Sequence, residues 1–139
     1  MRIIKQSNLP QETIDRLLFI ANTKSGWIDG EQGVPVSRKA IMISIAFLEE
    51  YDNYCHLTRP GIYPLLEGGV SLEWNNNSQN SNRAFPEWDL EIYNNGDMLF
   101  YSPGLENRKD IEIRYYYNSH HTRKVIRKIV EIIYHNDLK

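Results

Sequence analysis

The sequence predicts an α+β fold in which helices cover one face of an antiparallel sheet. Three observations lead to this prediction. Apolar residues recur at helical spacing near both ends of the chain, and apolar and polar residues alternate through its middle. Asn95-Gly96 is a strong signal for a β-hairpin. A length of 139 residues suits one domain, so we expect a single α+β domain over residues 1–139.

Two helices are predicted before the sheet. Asn8-Leu9-Pro10-Gln11 combines a capping asparagine, an early proline and a glutamine in the order typical of a helix start. The helix that follows has one apolar face, formed by Ile14, Leu17, Leu18 and Ala21. Ser37 is the predicted N-cap of the second helix. Its segment Ile41–Leu48 is apolar nearly all round, which indicates a central, buried helix.

A meander of about five antiparallel strands is predicted next, at Ile62–Leu66, Val70–Trp74, Glu87–Tyr93, Met98–Tyr101 and Ile111–Tyr117. Pro64 cannot donate to a ladder, so the first strand should lie at an edge. Trp74 and Trp88 should face the helices. The run NNNSQNSN at Asn75–Asn82 predicts a mobile hairpin loop.

A closing helix is predicted after the fifth strand, with Asn118 or Ser119 as its cap. It should pack on the same sheet face as the first two helices. Its apolar stripe consists of Val125, Ile126, Ile129, Val130 and Ile133.

Charge is distributed unevenly along the chain. Residues 1–107 hold 8 Lys and Arg against 14 Asp and Glu, a net −6, whereas residues 108–139 hold 8 against 4, a net +4. There is no charged-then-apolar leader and no apolar run long enough to cross a bilayer, so we expect a cytoplasmic protein. The single cysteine, Cys55, can form neither an intramolecular disulfide nor a thiolate zinc site. We expect no metal and no cofactor.

The first candidate site is acidic. Glu73, Asp89 and Glu91 should share the open sheet face if their strands are neighbours, with Arg114 on the same face. Clustered carboxylates can bind Mg²⁺ or divide acid and base roles, which leaves a small metal-dependent hydrolase as one alternative. They can equally form a docking face, or only the polar outer side of a sheet.

The second candidate site is basic and lies on the closing helix. Its four cationic residues fall within two turns and can grip phosphates, so a nucleic-acid-binding protein is another alternative; they are Arg123, Lys124, Arg127 and Lys128. No helix-turn-helix pattern precedes them, and a solvated helix face accounts for the same charges.

The glycine-rich loop Trp27–Gly33 does not indicate a nucleotide site. It has no preceding strand and no lysine after the glycines, and Asp29 and Glu31 would repel an anion. We expect a structural role, with Trp27 covering the sheet edge and glycines at positive φ. No Ser-His-Asp order or nucleophile elbow is present, so the sequence does not support enzyme chemistry.

An ordered set of short motifs covers about residues 20–100: Gly26-Trp27, Asp29-Gly30, Gly33 to Ser37, Pro60, Ile62, Pro64, Gly68-Gly69-Val70, Leu72-Glu73-Trp74, Leu90-Glu91-Ile92 and Asn95-Gly96. The set resembles an uncharacterised family of small bacterial proteins with the pattern GWDGxG…PxS…GGVxLEW…LEI…DG. The chain departs from that pattern by an inserted Ile28, by Val34 and by the long Asn/Ser loop. The resemblance implies a small bacterial protein of a kind often encoded in mobile or defence-related gene neighbourhoods, and it is compatible with a two-protein system.

The sequence as a whole favours a non-catalytic binding or accessory module, of the antitoxin, immunity or defence type, that docks a partner protein encoded by a neighbouring gene. The docking residues would be those of the acidic face or the basic helix, and the sequence does not choose between them. A symmetric dimer through the outward Tyr93, Tyr101 and Tyr116 is also open.

Overall fold

A computed structural model describes residues 2–27, 30, 32–55, 59–74, 87–104 and 109–137. Its elements confirm the α+β prediction, with helices at both ends of the chain and a five-stranded antiparallel sheet between them. In chain order they are α1 (Arg2–Lys5), α2 (Gln11–Ala21), α3 (Arg38–Tyr54), β1 (Gly61–Pro64), β2 (Val70–Trp74), β3 (Trp88–Ile92), β4 (Met98–Ser102), β5 (Ile111–Tyr115) and α4 (Thr122–Asp137).

The sheet is a simple meander with the strand order β1-β2-β3-β4-β5, and every pair is antiparallel. Pro64 lies in the edge strand β1, as its missing N–H predicts. The edge strands are shorter than predicted, because β1 ends at Pro64 and β5 ends at Tyr115.

The core lies between the helices and the inner face of the sheet. Trp88 anchors it, since its ring centroid lies about 6 Å from three aromatic neighbours, namely 6.0 Å from Phe47, 6.1 Å from Tyr51 and 6.1 Å from Phe100. All four side chains are buried. Trp74 is buried on the same inner face, so both strand tryptophans join sheet to helices as predicted.

The Asn95-Gly96 hairpin forms, with a turn one residue longer than the dipeptide signal implies. The Gly96 N–H donates to the Tyr93 carbonyl at 2.9 Å, and the Tyr93 N–H donates to the Asp97 carbonyl at 2.8 Å. Only Gly96 has positive φ here, at 95°. The connection is therefore a three-residue loop with glycine at the left-handed position, rather than a two-residue turn.

The predicted helix starts are partly corrected. Ser37 is the N-cap of α3 and its Oγ accepts from the Ala40 N–H at 3.0 Å, as expected. Asn8 does not cap α2, because Pro10 occupies the N-cap position and provides no side-chain acceptor. Asn118 forms the turn before α4, accepting from the His121 N–H at 2.9 Å, and the helix begins only at Thr122.

The short helix α1 was not predicted, because four residues are too few to show helical periodicity. Its one buried residue, Ile4, packs under α2. The predicted loop Asn75–Asn82 lies outside the described residues.

Candidate functional site

The acidic residues share the outer sheet face, as the alternation predicted. Glu73 on β2 lies directly opposite Asp89 on β3, and Glu91 lies opposite Ser71 one step along. Arg114 is on the same face but two strands from Glu91. It forms its 3.6 Å ion pair with Glu112 of its own strand rather than with the central carboxylates.

Partial burial and, after it, mutual repulsion disfavour the charged forms of Glu73 and Asp89 on this acidic face. Partial burial, followed by the charges of Asp89 and Glu91, raises the pKa of Glu73. Partial burial, followed by the charges of Glu91 and Glu87, raises the pKa of Asp89. Like charges directly opposite each other on neighbouring strands destabilise a sheet. The pair therefore lowers the stability of the fold at neutral pH.

Glu91 is held differently from the other two carboxylates. The Tyr93 hydroxyl donates to Glu91 Oε2 at 2.8 Å. Burial, together with this bond to a carboxylate, raises the pKa of Tyr93 to about 12. Tyr93 therefore stays protonated as the donor. Among the described residues, no group of three or more His, Cys, Asp and Glu is placed to hold a metal ion.

The basic residues of α4 are divided between two sides of the helix. Arg127 Nε lies 3.8 Å from Glu50 Oε1 of α3, and both side chains border a depression of about 270 Å³ that also includes Glu49. Lys124 and Lys128 are exposed on the adjoining side. The charge that Arg127 offers to a phosphate is thus partly offset by acidic residues of α3.

Arg123 borders this depression too, and it also lines an apolar groove between α3 and α4, which we call the α3–α4 groove. Its volume is about 520 Å³. The floor is formed by the buried Ile43 and Ile126 and the half-buried Ala46. Met42 lies in the groove with 46 % of its surface exposed. An apolar floor with an exposed methionine suits contact with another apolar surface.

The rim of the α3–α4 groove is cationic. Arg38 and Lys39, from the first turn of α3, and Arg123, from the first turn of α4, border it. Since both helices begin at this end, the positive ends of two helix dipoles add to the three cations. The groove therefore has a positive potential around an apolar floor.

Tyr117 forms the remaining wall of the groove. Lys39 Nζ lies 4.1 Å from the centroid of its ring. The Tyr117 N–H donates to Asp97 Oδ1 at 2.8 Å, which ties the wall to the β3–β4 hairpin. The hairpin glycine makes room for the ring, because a Cβ on Gly96 would come within 2.5 Å of Tyr117 Cδ1.

The glycines near Trp27 have positive φ, as predicted, whereas the contacts of Trp27 itself are with its own loop and not with the sheet edge that it was expected to cover. Trp27 Nε1 donates to the Val34 carbonyl at 2.8 Å, and Gly33 has a φ of 104° directly against the indole. The ring closes on its own loop, which is joined to the β1–β2 turn by the Val34 N–H and the Leu66 carbonyl at 3.0 Å. Asp29 and Glu31 lie outside the described residues.

Sequence reasoning missed a cleft of about 860 Å³ between α2 and β1. Arg16 crosses it and donates from Nε to the Ile62 carbonyl at 2.7 Å. The Arg16 guanidinium also lies 5.4 Å from the Phe19 ring centroid and 5.6 Å from that of Tyr63. A sequence signal for this cleft exists in Phe19, an aromatic residue on an otherwise polar face of α2, which the structure shows to be exposed.

Comparison with known proteins identifies no relative: the chain matches no protein-family model, and no curated protein or solved structure shows significant similarity. No helix in the described part of the chain is both long and apolar enough to span a membrane.

Proposed function

We propose that this protein is a non-catalytic binding module that docks an acidic, amphipathic segment of a partner protein in the α3–α4 groove. One observation carries the proposal: an apolar floor is left uncovered beneath the three rim cations Arg38, Lys39 and Arg123. Helices laid in grooves bury an apolar face and place their polar residues at the rim. A cationic rim selects a segment whose polar residues are acidic.

Burial supports the groove over the acidic sheet face as the docking surface. Met42 exposes 46 % of its surface at a position flanked by buried residues, and covering it would remove apolar area from water. The acidic face also carries apolar side chains, Leu99 and Tyr101, but they lie opposite the carboxylates Glu91 and Asp89, so a partner docking there would have to desolvate charge. Interfaces derive most of their affinity from a desolvated apolar core, and rim charges chiefly set orientation and association rate.

Nucleic-acid binding is less well supported by the same residues. Of the four basic positions on α4, Arg127 pairs with Glu50 and Arg123 borders an apolar floor. Only Lys124 and Lys128 are left as an uncommitted pair on their side of the helix. Phosphate recognition requires several unpaired cations along one track.

The resemblance to an uncharacterised family of small bacterial proteins, which is compatible with a two-protein system, supports the choice of partner. We propose that the partner is the product of the adjacent gene and that this chain is its antitoxin, immunity or accessory subunit. The acidic amphipathic segment would then lie on that product.

The experiment uses a fluorescent helical peptide with leucine at positions i, i+3, i+4 and i+7 and glutamate elsewhere. Its control has lysine in place of every glutamate. We expect the glutamate peptide to bind in fluorescence anisotropy and the lysine peptide not to bind. Met42→Glu should abolish binding, whereas Leu66→Glu, at a position that is 52 % exposed on the β1–β2 turn, should leave it unchanged.

The same two variants are then co-expressed with the adjacent gene product. Loss of the complex in Met42→Glu but not in Leu66→Glu supports the proposal. Equal binding of both peptides, or a complex indifferent to Met42→Glu, overturns it. Salt-dependent retention of the wild type on DNA that is lost in Lys124→Glu would favour nucleic-acid binding instead.

A further inference from the structure

The two edges of the sheet differ in how well they are protected. At β1 the outward carbonyl of Ile62 accepts from Arg16 Nε at 2.7 Å, Pro64 offers no N–H, and α2 packs alongside. These are common means of blocking an edge. β5 is the other end of the sheet, and no strand pairs with its outer side in the part of the chain that the structure describes.

The register shows which main-chain groups β5 turns outward. The Tyr93 N–H donates to the Asp97 carbonyl, and hydrogen-bonded pairs alternate along antiparallel strands. Because Tyr93 and Asp97 form a hydrogen-bonded pair, Leu99 and Tyr101 of β4 bond to β3, and Phe100 between them bonds to the other side. Its partner there is Ile113, so the main-chain groups of Ile113 point towards β4. The N–H and C=O groups of Glu112 and Arg114 therefore point away from the sheet, and we call them the β5 edge.

The sequence of β5 is complementary to itself when it is reversed. In an antiparallel pair of two copies centred on Ile113, Glu112 lies opposite Arg114 of the second copy, and Arg114 lies opposite its Glu112. Opposite charges in such cross-strand positions stabilise pairing. The same register makes Glu112 and Arg114 the hydrogen-bonded positions, which are the two residues whose groups are available.

The neighbouring symmetric registers are disfavoured. Centring on Glu112 sets two carboxylates opposite each other, and centring on Arg114 sets two guanidinium groups opposite each other. Like charges directly opposite are destabilising. Shifting one copy by a single residue would set its inner-face residues opposite outer-face residues of the other copy. One register is therefore selected.

The side chains on the helix side of β5 also suit this pairing. Ile111, Ile113 and Tyr115 face inward but are only half-buried, in contrast to the buried inner residues of β2, β3 and β4. In the register centred on Ile113, that residue lies opposite its own copy, and Ile111 lies opposite Tyr115. Pairing would complete the burial that the single chain leaves unfinished.

We propose that two copies of this chain associate through the β5 edge, in antiparallel register about Ile113, to form one continuous sheet across a two-fold axis. Each closed symmetric interface of this kind uses the same surface twice. The dimer is independent of the α3–α4 groove, since none of the residues that carry the groove proposal lies on β5.

The test uses charge reversal and sedimentation velocity. The wild type should show a concentration-dependent dimer. Glu112→Arg and Arg114→Glu should each be monomeric, because each sets like charges opposite one another. The double variant Glu112→Arg/Arg114→Glu should dimerise again. An equimolar mixture of the two single variants should form a heterodimer, in which both cross-strand pairs are again of opposite charge.

Restored dimerisation in the mixture would show that Glu112 and Arg114 act at an interface. A folding defect in one variant could not be repaired by adding the other variant. A second measurement fixes the register. Under mild oxidation Ile113→Cys should form a disulfide-linked dimer, whereas Ile111→Cys, opposite Tyr115 in this register, should not. A monomeric wild type, dimeric single variants or a mixture that stays monomeric each overturns the proposal.

Discussion

Lys39 Nζ lies 4.1 Å from the centroid of the Tyr117 ring, so the first turn of α3 is joined to the chain that follows β5. The contact completes the wall of the α3–α4 groove. It depends on the β3–β4 hairpin, which supplies Asp97 as acceptor for the Tyr117 N–H and Gly96 as the surface beneath the ring. A turn in the sheet thus sets the shape of a groove between helices.

Gly96→Ala should lower the free energy of unfolding by roughly 1–2 kcal/mol more than Gly30→Ala does. Both glycines have positive φ, at 95° and 87°, so both variants incur backbone strain. Only at Gly96 would the added Cβ collide with Tyr117, since no atom lies within 4 Å of the corresponding position at Gly30. Urea denaturation of the two variants measures the difference. Equal losses would contradict the close contact.

Glu73→Gln should stabilise the protein at neutral pH by a few tenths of a kcal/mol, because it removes one of two carboxylates that face each other. The raised pKa of Glu73 shows that the change in the free energy of unfolding should be a gain. The folded state holds this proton more tightly than the unfolded chain does, so ionisation destabilises the fold. The gain should therefore shrink as the pH falls through the raised pKa of Glu73 towards the ordinary glutamate pKa of 4.5.

Urea denaturation near neutrality and in acid tests this pH dependence. Glu12→Gln is the control, because Glu12 lies in the first turn of α2, where a negative charge interacts favourably with the helix dipole. That variant should be slightly destabilised at neutral pH. A loss of stability in Glu73→Gln at neutral pH would contradict the repulsion inferred for the acidic face.

Arg16→Ala should lower the free energy of unfolding by about 1–2 kcal/mol. The change removes the bond to the Ile62 carbonyl at 2.7 Å and the contacts with two aromatic rings. Arg127→Ala is the matched control, since that side chain is 67 % exposed and its 3.8 Å ion pair should contribute little. Thermal or urea denaturation of both variants checks the prediction, and similar losses would argue against a role for Arg16 at the β1 edge.

Ser37→Ala should cost about 1 kcal/mol, because Ser37 Oγ accepts from the Ala40 N–H and donates to the Asn94 carbonyl at 2.8 Å. Ser44→Ala, in the same helix, should cost less. The Ser44 hydroxyl only donates to the Ala40 carbonyl, which also serves the helix backbone. Denaturation of both serine variants compares a cap that ties α3 to the sheet with a bond inside the helix.

Local signals predicted most of the fold. Ser37 had the residue type and position of an N-cap, and alternation placed Glu73 and Asp89 on one face before their pairing was known. The prediction that Asn8 caps α2 was wrong. Pro10 disfavours the helical conformation at Leu9, the residue before it, so α2 begins only after Pro10. The longer turn at Gly96 also depends on the twist of the paired strands.

The candidate groove could be predicted only in part. Arg123 was identified as a binding residue, but its neighbours Met42 and Lys39 come from a helix about eighty positions earlier in the chain. From the sequence, Met42 is expected to be buried like the other apolar residues of α3. Its exposure follows from how α3 and α4 lie side by side, which periodicity along one segment does not encode.

The meander order of the sheet has a consequence for how the chain folds. Each strand pairs with the strand next to it in sequence, so no pairing requires distant parts of the chain to meet first. Loop closure is the main entropic barrier to strand pairing, and it is smallest for consecutive hairpins. The β1–β2 and β3–β4 hairpins have equally short connections with the same hydrogen-bond pattern, so the sheet can grow from either of them while α3 supplies the apolar surface on which it condenses.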